Sequence, residues 1–444
     1  MHAKALRLFL CVFALSSAAF AAKSISTVAG LPPEAQSIIA AAIRANNAVS
    51  GDTWIKQATL TPSNGGSGDI YGFGLGSVAV DGNIIAVGVP FYSGNGAPYP
   101  GAVYVFVKSG SDWTTMTQAA ILTASNPATE AQIGATVAIS GDTIVTGTLN
   151  FGSPYVAAVY VYVKPATGWT NMTETAQLTS TDGGINAHSV AISGNTIVAS
   201  GPDAATSSLY VYVEPAGGWT NMTQTAELTA SASSHLNYIG GAVSIDGNTV
   251  AATAEYPGGS RLLGAVAVFV EPTGGWTNMT QTAVLSATDA GATLRPVAIS
   301  GNTIAAGDQG AVIQGNAAAG NVHVYVRPAS GWRNMSQTAI LSASDAAGGE
   351  VLGYSVGIDG NTIVAGAPGA DINFHQNSGA AYVFTAPPSG WVNMTESAKL
   401  YFPDGYAGGL GDAVAIQGNI IVASAPYTDE DGQQYVGEAV VFQQ

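Results

Sequence analysis

The chain has 444 residues, of which only 9% are charged, with 12 basic against 28 acidic side chains and a net charge of −16. That excess of negative charge repels phosphate backbones and anionic headgroups, so neither nucleic acid nor a membrane surface is an expected partner. The low charged fraction, together with 56 glycines, also sets the chain apart from helical cytosolic enzymes, in which charged residues make up about a quarter of the total.

In chain order, the first segment reads "MHAKALRLFLCVFALSSAAFAAKS". Lys4 and Arg7 precede an apolar run that ends in the small residues around Ala21 and Ala22, the pattern of a cleaved secretory signal over residues 1–22. Secretion or display at the cell surface is therefore expected. Its loss would leave 10 basic residues against 28 acidic ones, a net charge near −18, and would remove Cys11, the only cysteine. Leader residues 23–53 contain "LPPEAQSIIAAAIRANN", with Pro near a start, Ile38, Ile39 and Ile43 on one side and Asn at the end, which predicts a short amphipathic helix. No later apolar run is long enough to span a bilayer.

Residues 54–444 are organised by two markers that keep one beat. The first is tryptophan: Trp54, Trp113, Trp169, Trp219, Trp276, Trp332 and Trp391 stand 50 to 59 positions apart, most of them in a phrase such as "GWTNMTQTAEL". The second is a turn of the Asp-Gly-Asn or Ser-Gly-Asn kind centred on Gly82, Gly141, Gly194, Gly247, Gly301, Gly360 and Gly418. Around each turn lie two alternating apolar runs, as in "SVAISGNTIVAS" (residues 189–200), a tight hairpin because Gly and Asn tolerate positive φ. A third strand such as "SLYVYVE" follows, and a short fourth strand such as "AELTAS" comes after the tryptophan. Four strands, A to D, repeated seven times predict an all-β, seven-bladed β-propeller of antiparallel blades. The last unit ends after its C strand while "WIKQATLTP" stands unpartnered before the first, so an N-terminal outer strand is expected to complete the last blade and remove both open edges. A tryptophan used once per blade is read as packing between blades, and the Asn-Met-Thr and Asn-Met-Ser triplets as blade consensus, not glycosylation sites.

The repeat resembles the FG-GAP family, the propeller type of the integrin α-subunit head and of many secreted bacterial proteins. The residues that carry the resemblance are Phe73-Gly74 with Ile133-Gly134, Leu352-Gly353 and Leu410-Gly411, and Gly366-Ala367-Pro368 with Gly88-Val89-Pro90 and Ser424-Ala425-Pro426. It implies a monomeric secreted adhesion or binding protein, and calcium held by acidic loops between strands A and B. Those loops are here reduced to three-residue turns with one carboxylate at most, too few oxygens for calcium, so no cofactor and no metal ion is expected.

Strand order puts the A–B and C–D connections on one face and the B–C and D–A connections on the other. The first is uniform and the second varies from blade to blade, which is where specificity resides on a rigid scaffold. Candidate ligand-binding residues in the B–C segments are Tyr92, Tyr99, Tyr256, Arg261, Asp371, Asn373, Phe374, His375, Tyr427, Asp429 and Asp431. Aromatic, amide and acid groups on such a face suit an extracellular protein or a glycan. No catalytic motif is present. The histidines are scattered among blades, and His323 in "NVHVYV" reads as a structural strand residue. The expected function is a non-catalytic binding or adhesion propeller. A hydrolase or lyase acting on polysaccharide, with Asp371 and Asp431 as a carboxylate pair, is the alternative.

Overall fold

The computed structural model describes residues 54–63, 77–93, 99–126, 131–148, 157–201, 208–258, 261–289, 291–402, 408–428 and 436–444. The segments expected to form a secretory signal and a leader helix lie outside them, as do Phe73-Gly74. All described strands belong to the unit Trp54–Gln444.

Seven sheets, each with four antiparallel blade strands, form the expected seven-bladed propeller. Blade 1 is made of Val78–Asp81, Ile84–Val89, Ala102–Val107 and Ala120–Thr123, which pair A to B to C to D. The other blades repeat the order. In blade 7 the D strand is Ile55–Thr61, antiparallel to the C strand Glu438–Gln443 with Ile55 opposite Gln443 and Leu60 opposite Ala439. The N-terminal strand thus closes the ring. Each A strand forms the inner edge of its blade, and the seven together surround an axial cavity of about 280 Å³ lined chiefly by Val, Ala and Ile.

Burial falls into seven apolar clusters, and each holds one tryptophan. Trp113 sits among residues of blades 7 and 1, Trp169 of blades 1 and 2, Trp219 of blades 2 and 3, and so on to Trp54 between blades 6 and 7. The expected packing role is what the structure shows: a large ring filling each seam.

The rest of the tryptophan phrase fastens one blade to the one before it. Its Met-Thr pair is a two-residue strand that joins the D strand of the preceding blade in parallel, as Met172–Thr173 does beside Leu122 and Thr123. The neighbouring Asn171, Asn221, Asn278, Asn334 and Asn393 each accept a hydrogen bond through Oδ1 from a backbone N–H of that preceding D strand, at 2.8 to 2.9 Å. Thr115 does the same for blade 7 through Oγ1. Two residues after each Met, Gln118, Glu174, Gln224, Gln281, Gln337 and Glu396 accept from the backbone just beyond the same strand.

The A–B turns are linked in the same way. Their glycines lie at φ +53° to +59°, a region glycine enters without steric cost. The side chain before each glycine accepts from the glycine N–H of the next blade: Asp81 from Gly141, Ser140 from Gly194, Ser193 from Gly247, Asp246 from Gly301, Ser300 from Gly360, Asp359 from Gly418 and Gln417 from Gly82, at 2.5 to 3.1 Å. Seven turns therefore form a closed hydrogen-bonded circle, and the carboxylates that resemblance would give to calcium act as acceptors in it. Gln417 joins blade 7 to blade 1 and also donates to Asp81. These bonds are exposed, so Gln417→Ala is expected to cost about 1 kcal/mol in urea unfolding without preventing folding.

Candidate functional site

The face bearing the B–C and D–A connections is built around close backbone approaches. Gly88 is the penultimate residue of strand B in blade 1, and a Cβ there would lie 1.7 Å from the Gly134 carbonyl oxygen of blade 2. Gly307 meets Gly353, and Gly366 meets Gly411, in the same manner, at 2.0 and 1.8 Å. The hydrophobic-Gly element of one blade therefore rests on the glycine that opens the GAP-like element of the blade before it. Both must lack a side chain.

Three stretches, residues 54–106, 116–162 and 335–384, match the FG-GAP repeat family. The chain is a seven-bladed propeller that carries FG-GAP repeats. No curated protein matches it. Among solved structures it is similar to the periplasmic gluconolactonase PpgL of Pseudomonas aeruginosa, at 16% identity and TM-score 0.46 over 73% of this chain and 84% of that one. It is also similar to the β-propeller domain of the Trilobed protease from Pyrococcus furiosus, at 9% identity and TM-score 0.48 over 83% and 93%.

On the variable face of the FG-GAP propeller, blade 6 presents the most distinctive connection. Ile372 is buried and exchanges backbone hydrogen bonds of 3.1 and 2.9 Å with His375, which leaves Asn373 and Phe374 as the tip of a two-residue turn. Both tip residues have positive φ, 52° and 71°, and the Phe374 ring is fully exposed. Asp371 steadies the loop by accepting from the Asn377 N–H at 3.0 Å. Blade 5 makes the same turn, with Ile313 paired to Asn316 and Gln314-Gly315 at the tip, φ 52° and 89°. Glycine suits the second position. A phenylalanine there accepts backbone strain of about 1–2 kcal/mol and buries nothing in return.

The loop continues into its neighbours. Asn377 O accepts from the Gly409 N–H, and Gly408 O accepts from the Tyr427 N–H. Tyr427, 38% exposed, lays its ring over Gly409, where an added Cβ would stand 2.9 Å away. Burial, with the Asp412 charge, raises its phenol, and burial together with the Asp412 and Tyr427 charges pushes the nearby Tyr354 up to about 12. On the other side Tyr382 donates to Asp345 at 3.0 Å and Lys399 pairs with the same carboxylate at 2.7 Å, its ammonium 4.8 Å above the Tyr382 ring. Burial works to raise the Asp345 carboxyl, but the Lys399 bond and charge hold it below its ordinary range. Burial pushes the Glu350 carboxyl up. Blades 6 and 7 thus gather Asp371, Phe374, Tyr427, Tyr354, Glu350 and the Asp345 group into one sector.

The remaining candidates are arranged differently. Tyr92 is half-buried and packs edge-on against Tyr104, centroids 6.1 Å apart, so it anchors its loop. Tyr99 is exposed and meets Phe91 at 5.9 Å. Tyr256 and Arg261 are not on a loop: strands Thr249–Gly258 and Arg261–Val270 extend as one long hairpin, with Tyr256 opposite Leu263 and Gly258 opposite Arg261. Burial raises the Tyr256 phenol, which packs against the core between blades 3 and 4. That blade lies three places round the ring from blade 7. Asp429 and Asp431 fall outside the described residues. Tyr354 and Glu350 escaped notice in the sequence because they sit in a D–A connection with no repeated pattern to mark them, and Lys399 because it fills the variable middle position of a short D strand, where it meets Asp345. His323, read as structural, is fully buried, yet its neighbours are acidic.

Proposed function

We propose that this FG-GAP propeller is a secreted or cell-surface protein without catalytic activity, which binds an extracellular protein or a glycan through its B–C and D–A face. The observation that carries the reading is Phe374, a large ring placed on a turn that prefers glycine and exposed where folding gains nothing from it. Exposed aromatic side chains on a rigid scaffold are the residues that dominate binding energy in interfaces. Asp371, Asn373 and His375 belong to the same loop and Tyr427 to the adjoining connection of blade 7, and the signal-like N-terminus agrees with an extracellular ligand. The axial cavity, lined by small apolar side chains, offers far less for recognition.

The test is a panel of immobilised glycans and matrix proteins, with soluble products analysed in parallel. Wild-type protein is expected to bind at least one without releasing product. Phe374→Gly is then expected to weaken binding by about 2 kcal/mol or more while stability holds or rises by about 1 kcal/mol. Tyr427→Ala should weaken it as well, and Asn248→Ala and Asn361→Ala, on the opposite face, should not. Loss of binding confined to the last two overturns the face assignment, and released oligosaccharide favours a polysaccharide hydrolase or lyase.

A further inference from the structure

The seam between blades 4 and 5 carries a group of polar side chains where its counterparts are apolar. Strand B of blade 5 is Thr303–Asp308 and strand C is Asn321–Val326, with Asp308 opposite Asn321 and Ala306 opposite His323. Alternation turns Asp308, Asn321 and His323 to the side on which Ile304, Ala306 and Tyr325 join the cluster shared with blade 4. All three are buried: Asp308 and Asn321 are each 2% exposed and His323 not at all. Asp289, from the connection between blades 4 and 5, closes the group, its Oδ2 3.3 Å from His323 Nε2.

The repeat itself shows what these positions hold when only the fold is at stake. In blade 6 they are Ala367, Ala380 and Tyr382, and the tyrosine donates to Asp345 of the preceding connection. Blade 3 makes the same bond between Tyr210 and Asp182, at 2.8 Å. Blade 5 keeps the aspartate as Asp289 but replaces Tyr by His323 and two small residues by Asp308 and Asn321. Two carboxylates are thereby brought to one buried imidazole, and among the described residues neither is paired with Lys or Arg. Neither ring nitrogen of His323 has an aligned hydrogen-bond partner there, nor has Asn321 Oδ1 or Asp289 Oδ1. Buried groups of this kind are ordinarily satisfied.

One nitrogen of His323 and one oxygen from each of Asp289 and Asp308 lie within 4.8 Å of one another. Two ligands on a tetrahedral ion at about 2.0 Å stand about 3.3 Å apart, which is the separation of Asp289 Oδ2 and His323 Nε2. Thr293 and Gly310 donate to Asp308 Oδ1 at 3.0 and 3.2 Å and fix that carboxylate, as outer partners of metal ligands do. Asp289, 36% exposed, leaves a way in from solvent.

We propose that Asp289, Asp308 and His323, with the side-chain Oδ1 of Asn321, bind one divalent transition-metal ion. Three oxygens and an imidazole match the four-donor preference of zinc, whereas calcium requires six or more oxygens. The ion is distinct from any calcium in the A–B turns, which lie on the opposite face, and the inference stands independently of the ligand-binding reading.

The experiment uses the full chain, stripped with a chelator and titrated calorimetrically with Zn²⁺, Mn²⁺ and Ca²⁺, while melting temperature is followed. One Zn²⁺ per chain is expected, with a higher melting temperature that chelation reverses. A variant that rebuilds the blade 6 solution, Asp308→Ala with Asn321→Ala and His323→Tyr, should fold and lose both responses. Asp289→Asn, a milder change at a half-exposed position, should weaken Zn²⁺ binding more than about tenfold and serves if the triple variant does not fold. No Zn²⁺ uptake by the wild type, a preference for Ca²⁺, or unchanged uptake by whichever variants fold overturns the proposal.

Discussion

Removal of residues 54–62 is expected to abolish the cooperative unfolding transition of the propeller. Among the described residues the strand Ile55–Thr61 is the only partner of the outer C-strand edge in blade 7, and without it Glu438–Gln443 presents an open row of N–H and C=O groups. It carries Ala58 and Leu60 into the seam with blade 1, while Trp54 fills the seam with blade 6, so the loss empties parts of two apolar clusters together. Met116–Thr117 of blade 1 loses its parallel partner too. A graded version is Leu60→Ala: the side chain is wholly buried, and its truncation should cost about 2–5 kcal/mol in denaturant unfolding. Wild-type thermal stability in the truncated chain would show that the ring holds without its N-terminal strand.

Gly366→Ala should be among the most damaging single methyl additions at the described residues. The added carbon would stand 1.8 Å from the Gly411 carbonyl oxygen and 2.3 Å from Ser355 Oγ, and the first of these is backbone, which cannot rotate aside. Gly411 is held in turn, at φ +91° with its own missing Cβ directed at the Ala380 carbonyl 2.4 Å away. Relief requires blades 6 and 7 to move apart at a packed seam, and the cost is expected at or above about 3 kcal/mol, the upper end for overpacking. Gly360→Ala is the control. Its glycine has φ +55° but nothing within 4 Å of the added carbon, so only the local penalty of about 1–2 kcal/mol applies. Equal losses in urea unfolding for both would show that the blade-to-blade approach is not what the motif glycines provide.

Blade number and ring closure were legible in the chain because each rests on something local. A tryptophan and a Gly-Asn turn recur at one spacing, and an alternating apolar run shows its period within a few residues. What could not be read are relations between residues one blade apart. Nothing near Gly88 indicates that Gly134 will lie against it, and nothing in Asp81 that Gly141 of the next turn will donate to it. A two-residue strand such as Met172–Thr173 has no period, so the phrase that contains it discloses a packing tryptophan but not a fifth strand. The blade 4 connection differs for a related reason: Pro257 followed by Gly-Gly-Ser suggests a loop, whereas cross-strand pairing as far as Gly258 and Arg261 extends the hairpin. In the candidate site the exposed Phe374 and Tyr427 were visible as residue types. The strain that singles out Phe374 needed the backbone, and His323 could be recognised as unusual only once Asp289 and Asp308 were beside it.

The parallel Met-Thr strands have a consequence for how such a protein can gain or lose units. Because each crosses to the sheet before it, the segment repeated along the gene and the sheet assembled in space are out of step, and most sheets draw backbone from two repeats. Excising one repeat therefore takes a strand from the neighbour that stays behind and offers that neighbour a substitute from the next repeat along. The substitute fits because the phrase is nearly the same in every unit. Near-identity of a stretch with no catalytic content is then a form of interchangeability: it lets adjacent units be spliced, duplicated or deleted without leaving an unmatched edge at the join.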